Sequence, residues 1–282
     1  MMTTERERSR ASATSHANQV RAFINEIRDG DLVVTLDANL LMIGLVNGSA
    51  VIDPAPVAIT RRSGRQHQMS FHLRRAVEWG PALKRNDVPF ALEMTLLAHQ
   101  TVFNLDAHWD TVYHLLYPYF RYQDHLYLST NIEQTAALDN YSIAQIFSLL
   151  SGIEAVGKSL GEATFLSDET YLSMVETWIE NGELTLTSKA EFMSPGTIWS
   201  RMKANPKGMG WAVLIYAMLF GAKTPLIETD GMIDKEMREK VAQIVIEMAQ
   251  QHHLDKTKVK LGVSVPEHNT KALEKAVPHP DE

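Results

Sequence analysis

The stretch that decides the fold runs Phe23-Ile24-Asn25-Glu26-Ile27-Arg28-Asp29-Gly30-Asp31-Leu32-Val33-Val34, and its complement is His72-Leu73-Arg74-Arg75-Ala76-Val77-Glu78-Trp79. Ala22, Phe23 and Ile27 fall on one side of a short helix, because positions four or five apart return to nearly the same face. Asp29-Gly30-Asp31 ends it: glycine takes the positive φ of a turn, and the aspartates bond nearby backbone donors. Residues 32–36 follow as a β-branched strand. After a turn at residues 37–39, residues 40–46 read as its hairpin partner, closed off by Asn47-Gly48. The expected unit is a small β-meander.

These patterns resemble the PUA-like domains related to EVE domains that precede Mrr-type restriction nucleases and other prokaryotic antiviral defence effectors. The residues that carry the resemblance are Phe23, Glu26-Ile27, Gly30-Asp31, Val33-Val34, Ile43-Gly44-Leu45-Val46, His72, Arg74, Val77, Trp79 and Thr101-Val102-Phe103. They cover residues 17–106. Two departures separate the chain from that pattern: a glycine-rich opening strand has no counterpart, and a polar insertion at residues 59–68 interrupts the barrel. The resemblance implies an α+β protein with an N-terminal small β-barrel-like recognition domain. It also implies a nucleic acid, DNA or RNA and including a modified base, as the partner. No Glu or Gln is followed two places on by Lys, so the metal-binding core of an Mrr-type nuclease is missing.

The chain of 282 residues is 45% hydrophobic, enough for two domains with substantial cores. It has no cysteine, which excludes disulfides and thiolate metal sites and fits a reducing cytoplasm. The net charge of -7 is unevenly distributed: residues 1–120 hold twelve Lys/Arg against twelve Asp/Glu, and the remainder fifteen against twenty-two. Within the first half Arg61, Arg62, Arg65, Arg74 and Arg75 cluster, as phosphate contacts require. The same arginines also fit a solvated loop and strand edge.

The expected organisation is a loose tail at residues 1–16, a PUA/EVE-like domain at 17–122, an α-rich domain with a short strand at 123–265, and a flexible tail at 266–282. Short helices or connectors are expected at residues 88–97 and 109–116. Tyr113, Tyr117, Tyr119, Phe120 and Tyr122 form an aromatic run that reads as packed interface or as a stacking surface. Asp139-Asn140 opens a helix with Ile143, Ile146, Phe147, Leu150, Ile153 and Leu160 on one stripe. Residues 167–169 cap a second helix that stops at Asn181-Gly182, and a strand is expected from Leu184 to Thr187, with extension to Phe192. Residues 208–222 form an uncharged segment of fifteen residues. A membrane span needs about twenty, so a buried helix and no span are expected. A last helix, residues 233–252, carries Met237, Val241, Ile244 and Met248 on one face, available to core, protein partner or homo-oligomer.

No motif of catalysis or of cofactor binding is present. The eleven histidines lack the His-Glu-x-x-His spacing of a zinc site, no Gly-x-x-x-x-Gly-Lys-Ser/Thr loop cradles phosphate, and no Gly-x-Ser-x-Gly presents a nucleophile. The expectation is a non-enzymatic module without cofactor. Arg61, Arg62, Arg65, Arg74 and Arg75 would meet phosphates, while His72, Trp79 and Phe103 would form a base pocket. Trp79 reads equally as barrel core. The alternative is an assembly or membrane-associated effector subunit.

Overall fold

The computed structural model describes residues 5–60, 63–97, 101–162, 170–191, 195–222 and 235–266. It is a mixed α and β protein with strands concentrated in the N-terminal part and helices in the C-terminal part. Two compact units divide between Trp109 and Asp110.

The first unit opens with α1 (Glu5–Arg21), where a loose tail to residue 16 was expected. Its Glu, Arg and Ala residues are strong helix formers, which outweighs the absence of an apolar face. A π-helical turn, Ala22–Glu26, follows and closes with Ile27 N–H on the Ala22 carbonyl at 3.2 Å. Gly30 at φ +88 then turns the chain into β1 (Leu32–Leu36), which pairs antiparallel with β2 (Leu40–Val46). Asp31 caps the turn by accepting from Arg28 N–H at 2.6 Å, and Asp37 does the same for Asn39 and Leu40 at 2.8 Å each. These are the turn and hairpin that the aspartates and glycine foretell.

Five further strands complete this unit. They are β3 (Val51–Ile52), β4 (Val57–Thr60), β5 (Gln66–Met69), β6 (Leu73–Arg74) and β7 (Val77–Lys84). β7 pairs with β2, giving an open three-stranded sheet in the order β1-β2-β7. Among the described residues these strands close no barrel. β3 pairs with β6 and β4 with β5 in nearly continuous register, so residues 51–60 and 63–74 form one two-stranded ribbon that grows out of the β2–β7 ladder. The described part of the stretch read from sequence as a polar insertion, residues 59–60 and 63–68, lies at the distal end of that ribbon. Helix α2 (Phe90–Leu96) buries Leu92, and Val88, Leu41, Ile43 and Val46 are likewise buried in this unit.

The second unit holds α3 (Trp109–Leu116) from Asp110 onward, then β8 (Tyr119–Tyr122) and β9 (His125–Ile132). Beyond these lie α4 (Asn140–Glu162), α5 (Tyr171–Glu180), β10 (Thr187–Glu191) and β11 (Gly196–Lys203). The unit ends with α6 (Pro206–Phe220), α7 (Lys235–Gln251), α8 (Leu254–Leu261) and β12 (Val263–Ser264). Its strands make one antiparallel sheet, β10-β11-β9-β12 with β8 also on β9, in place of the single short strand expected. The β8–β9 hairpin turns at Gln123, which adopts φ +53. Residues 122 and 123 therefore lie inside one hairpin, and the boundary expected there falls earlier.

Helices α4 and α6 pack at very short range through glycines. A Cβ on Gly161 would stand 2.6 Å from the Gly208 Cα, and one on Gly157 would stand 2.9 Å from the Ala212 Cβ. Helix α6 is capped as its sequence requires: Asn205 Oδ1 accepts from Gly208 N–H at 2.7 Å, Pro206 sits at the first turn, and Gly221 ends it at φ +76. Ile215 and Tyr216 of this helix are fully buried, while Leu214 is only half-buried. Among the described residues no helix is long and apolar enough to cross a membrane.

Glu154 explains why β10 starts late. Its buried carboxylate accepts from Thr185 N–H at 2.8 Å, Thr185 Oγ1 at 2.6 Å and Leu186 N–H at 2.8 Å, with Lys158 Nζ at 2.9 Å. Those two backbone donors are satisfied off the ladder, so the strand begins at Thr187 rather than Leu184. Phe192 lies outside the described residues, as do residues 167–169, where a helix cap was expected, and the tail beyond residue 266; the N-cap of α5 is Thr170, which forms a capping box with Ser173.

Candidate nucleic-acid interface

The sheet places Trp79 directly opposite Gly44. A Cβ at Gly44 would lie 2.7 Å from the Trp79 Cε3 and 2.5 Å from the Val77 Cγ1, so the glycine is the floor on which these side chains rest. Glycine in the middle of a strand marks such a close approach. Trp79 is nonetheless 39% exposed. It is neither a core residue nor a loose one: one part of the indole is held against the sheet and the rest meets solvent.

Arg75 turns inward at the base of the ribbon. Its guanidinium donates to the carbonyls of Gly48 at 2.8 Å, Phe23 at 3.0 Å and Ile24 at 3.3 Å, and lies 5.8 Å from the centre of the Phe23 ring. Phe23 and Ile24 belong to the last turn of the π-helical segment, whose carbonyls need outside donors. Arg75 thus caps that turn and ties it to the strand connection. Its Nε is buried without a partner among the described residues.

Arg74 clamps the middle of the ribbon. It donates to Asp53 Oδ2 at 2.6 Å, to the Phe71 carbonyl at 2.8 Å and to the Ala55 carbonyl. The clamp sits where Pro54 and Pro56 interrupt the ladder, since proline has no N–H to contribute. His72 stands beside it, with Nδ1 3.3 Å from the Asp53 carbonyl oxygen, and its ring is exposed.

The sequence-derived site residues therefore separate. Arg74 and Arg75 are engaged within the fold as anchors of the ribbon. Arg65 is exposed near the ribbon tip, and Arg61 and Arg62 lie outside the described residues. Phe103 is half-buried in the connection between α2 and α3, and among the described residues no ring contact joins it to Trp79. His72 and Trp79 are exposed, and Phe103 is half-buried. Gly44 and Asp53, which position Trp79 and Arg74, carried a readable sequence signal only in Gly44, a glycine inside an apolar strand run.

Three histidines outside this surface, His108, His114 and His252, are engaged within the fold. His108 Nε2 lies 2.9 Å from Thr95 Oγ1. His114 is buried, stacks on Trp199 with ring centres 4.7 Å apart, and meets Ser129 Oγ at 2.8 Å. Burial lowers its pKa to about 3, against the opposing influence of Asp110. His252 bonds Tyr171 Oη at 2.6 Å and Gln145 Oε1 at 3.0 Å, and burial lowers its pKa as well. Among the described residues no three His, Asp or Glu side chains are grouped to hold a metal ion. Comparison with family models, with curated proteins and with solved structures finds no match.

Proposed function

We propose that the chain is a non-enzymatic recognition protein whose first unit, a PUA-like module, inspects nucleic acid and relays the encounter through the α-rich second unit to a protein partner. The observation that carries this reading is Trp79, held on Gly44 yet 39% exposed, at the root of a ribbon in which Asp53 is the one acidic residue and is neutralised by Arg74. An indole presented this way is a platform on which a base can stack. Support for the PUA-like reading is the ordered set of motifs over residues 17–106. Arg61, Arg62 and Arg65 are the cations available to phosphate by sequence, with Arg74 and Arg75 fixing the geometry behind them.

Binding of labelled single-stranded and duplex oligonucleotides, with and without modified bases, tests the reading. Wild-type protein should bind at low salt and lose affinity steeply as salt rises, because phosphate contacts release counterions. Trp79→Ala should weaken binding by about 1 to 3 kcal/mol, measured under conditions where the variant still melts cooperatively, since the part of the indole held on Gly44 also contributes to stability. Absence of binding to every nucleic acid at low salt would sink it. The assembly alternative would then take its place, favoured by the exposed Ile52 and Phe71 at 80% and 61%.

A further inference from the structure

The register of the distal ribbon sorts its side chains by face. Ala58 pairs with Gln68 and Thr60 with Gln66, and these four share one face, since cross-strand partners and alternate residues point the same way. The other face carries Val57, Ile59, His67 and Met69. All four residues of the first face are exposed, and the amides of Gln66 and Gln68 have no hydrogen-bond partner among the described residues. Short neighbours leave those two amides as the tallest groups on the face. Arg65, also exposed, adjoins Gln66.

We propose that this face enters the major groove of duplex DNA and reads A·T pairs, Gln66 and Gln68 each bonding an adenine edge while Arg65 meets the backbone. The proposal rests on the recognition reading and names its substrate class. A B-form major groove of about 12 Å admits a two-stranded ribbon, and glutamine pairs bidentately with adenine N6 and N7. The methyl groups of Ala58 and Thr60 are of the kind that contact the thymine methyl. Spacing agrees: residues two apart on a strand are separated by about 6.6 Å, two steps of roughly 3.4 Å along one DNA strand. Charge agrees too, because the only carboxylate between residues 51 and 75, Asp53, is paired with Arg74. The deep, narrow major groove of A-form RNA excludes such a ribbon.

Fluorescence anisotropy with short labelled duplexes at low salt tests this on the full chain. Wild type should favour duplexes carrying adenines two steps apart over G·C-only duplexes by about tenfold or more, and 7-deazaadenine, which lacks the N7 acceptor, should remove that preference. Gln66→Ala with Gln68→Ala should bind both duplexes equally, with an unchanged melting curve because both side chains are exposed. Arg65→Ala should weaken binding to every duplex alike and reduce the salt slope by about one. Retained A·T preference in the double glutamine variant, equal binding of double-stranded RNA, or binding of single strands alone would each overturn the groove assignment while leaving recognition by Trp79 intact. Loss of all nucleic-acid binding in wild type would overturn both.

Discussion

Strand β9 and the distal ribbon are both antiparallel β structure, and they use their side chains in opposite ways. β9 has ladders on both edges, with β11 on one side and with β8 and β12 on the other, and all but two of its residues are buried. Among the described residues β4 and β5 pair only with each other, and of their eight residues only Val57 and Met69 are partly buried. A two-stranded hairpin alone is marginally stable in water. The ribbon holds its shape because Arg75 fastens its base and Arg74 clamps its middle, through six hydrogen bonds to one carboxylate and to main-chain carbonyls. One region makes stability; the other consumes it to present a surface.

The largest expected effect tests the side of the comparison that makes stability. Ile215 is fully buried in α6, and an unpaired charge there costs several kcal/mol, on the order of a domain's whole stability. Ile215→Asp should abolish recovery of soluble folded protein, while Leu214→Asp, at a half-buried position one residue earlier, should be milder. Circular dichroism and soluble yield check this. Equal tolerance of both would contradict the packing of α6.

A second effect of the same region depends on pH. His114 is neutral in the fold, with a pKa of about 3, whereas an unfolded histidine titrates near 6.5. The unfolded chain binds the extra proton first as pH falls, so this contribution is fully present above about 6.5 and is lost progressively toward pH 3. At pH 4 the loss from this one group is about 3 kcal/mol. His252, whose pKa is also lowered by burial, acts with the same sign. Urea midpoints measured from pH 7 down to pH 4 should fall in wild type and fall less steeply in His114→Gln, which keeps a polar group toward Ser129.

The same contrast explains what the sequence disclosed. Regions whose fold follows from local chemistry were legible: Gly30 and Asp31 at the turn into β1, the stripe along α4, and a buried helix expected over residues 208–222 and found as α6, Pro206–Phe220. Long-range chemistry was not legible. Gln123 at positive φ is not a recognised turn residue, so the β8–β9 hairpin passed for a domain boundary. Glu154 diverts the backbone donors of Thr185 and Leu186 from 31 and 32 residues away, which no local pattern announces. Arginines in the primary sequence look like free charges, and only the fold shows that Arg74 and Arg75 point at carbonyls. Of the expected base-contacting residues, Trp79 and His72 are exposed and Phe103 is half-buried, which no local pattern distinguishes beforehand.

At the junction between the two kinds of region, Gly44→Ala should cost about 1 to 3 kcal/mol, because the added methyl must displace Trp79 or Val77 from a well-packed strand face. Chemical denaturation gives the cost, and a red shift of tryptophan emission would report the displaced indole. A fully native variant would show that Trp79 does not rest on Gly44.

The smallest effect belongs to the ribbon itself. Thr60, Gln66 and Gln68 are exposed and bury nothing that folding gains, so Ala at each should change stability by no more than about 0.5 kcal/mol. Hydrogen exchange should separate the two regions more sharply than melting does. Amides of β4 and β5 open locally because few apolar contacts resist them, whereas those of β9 exchange only through opening close to global unfolding. Nucleic acid seated on the ribbon should raise protection in β4 and β5 and leave β9 unchanged, since β9 is already at the ceiling that global stability sets. Protection in the free protein that matches β9 would mean the ribbon is covered within the molecule, and its side chains would then be packing residues rather than a presented face.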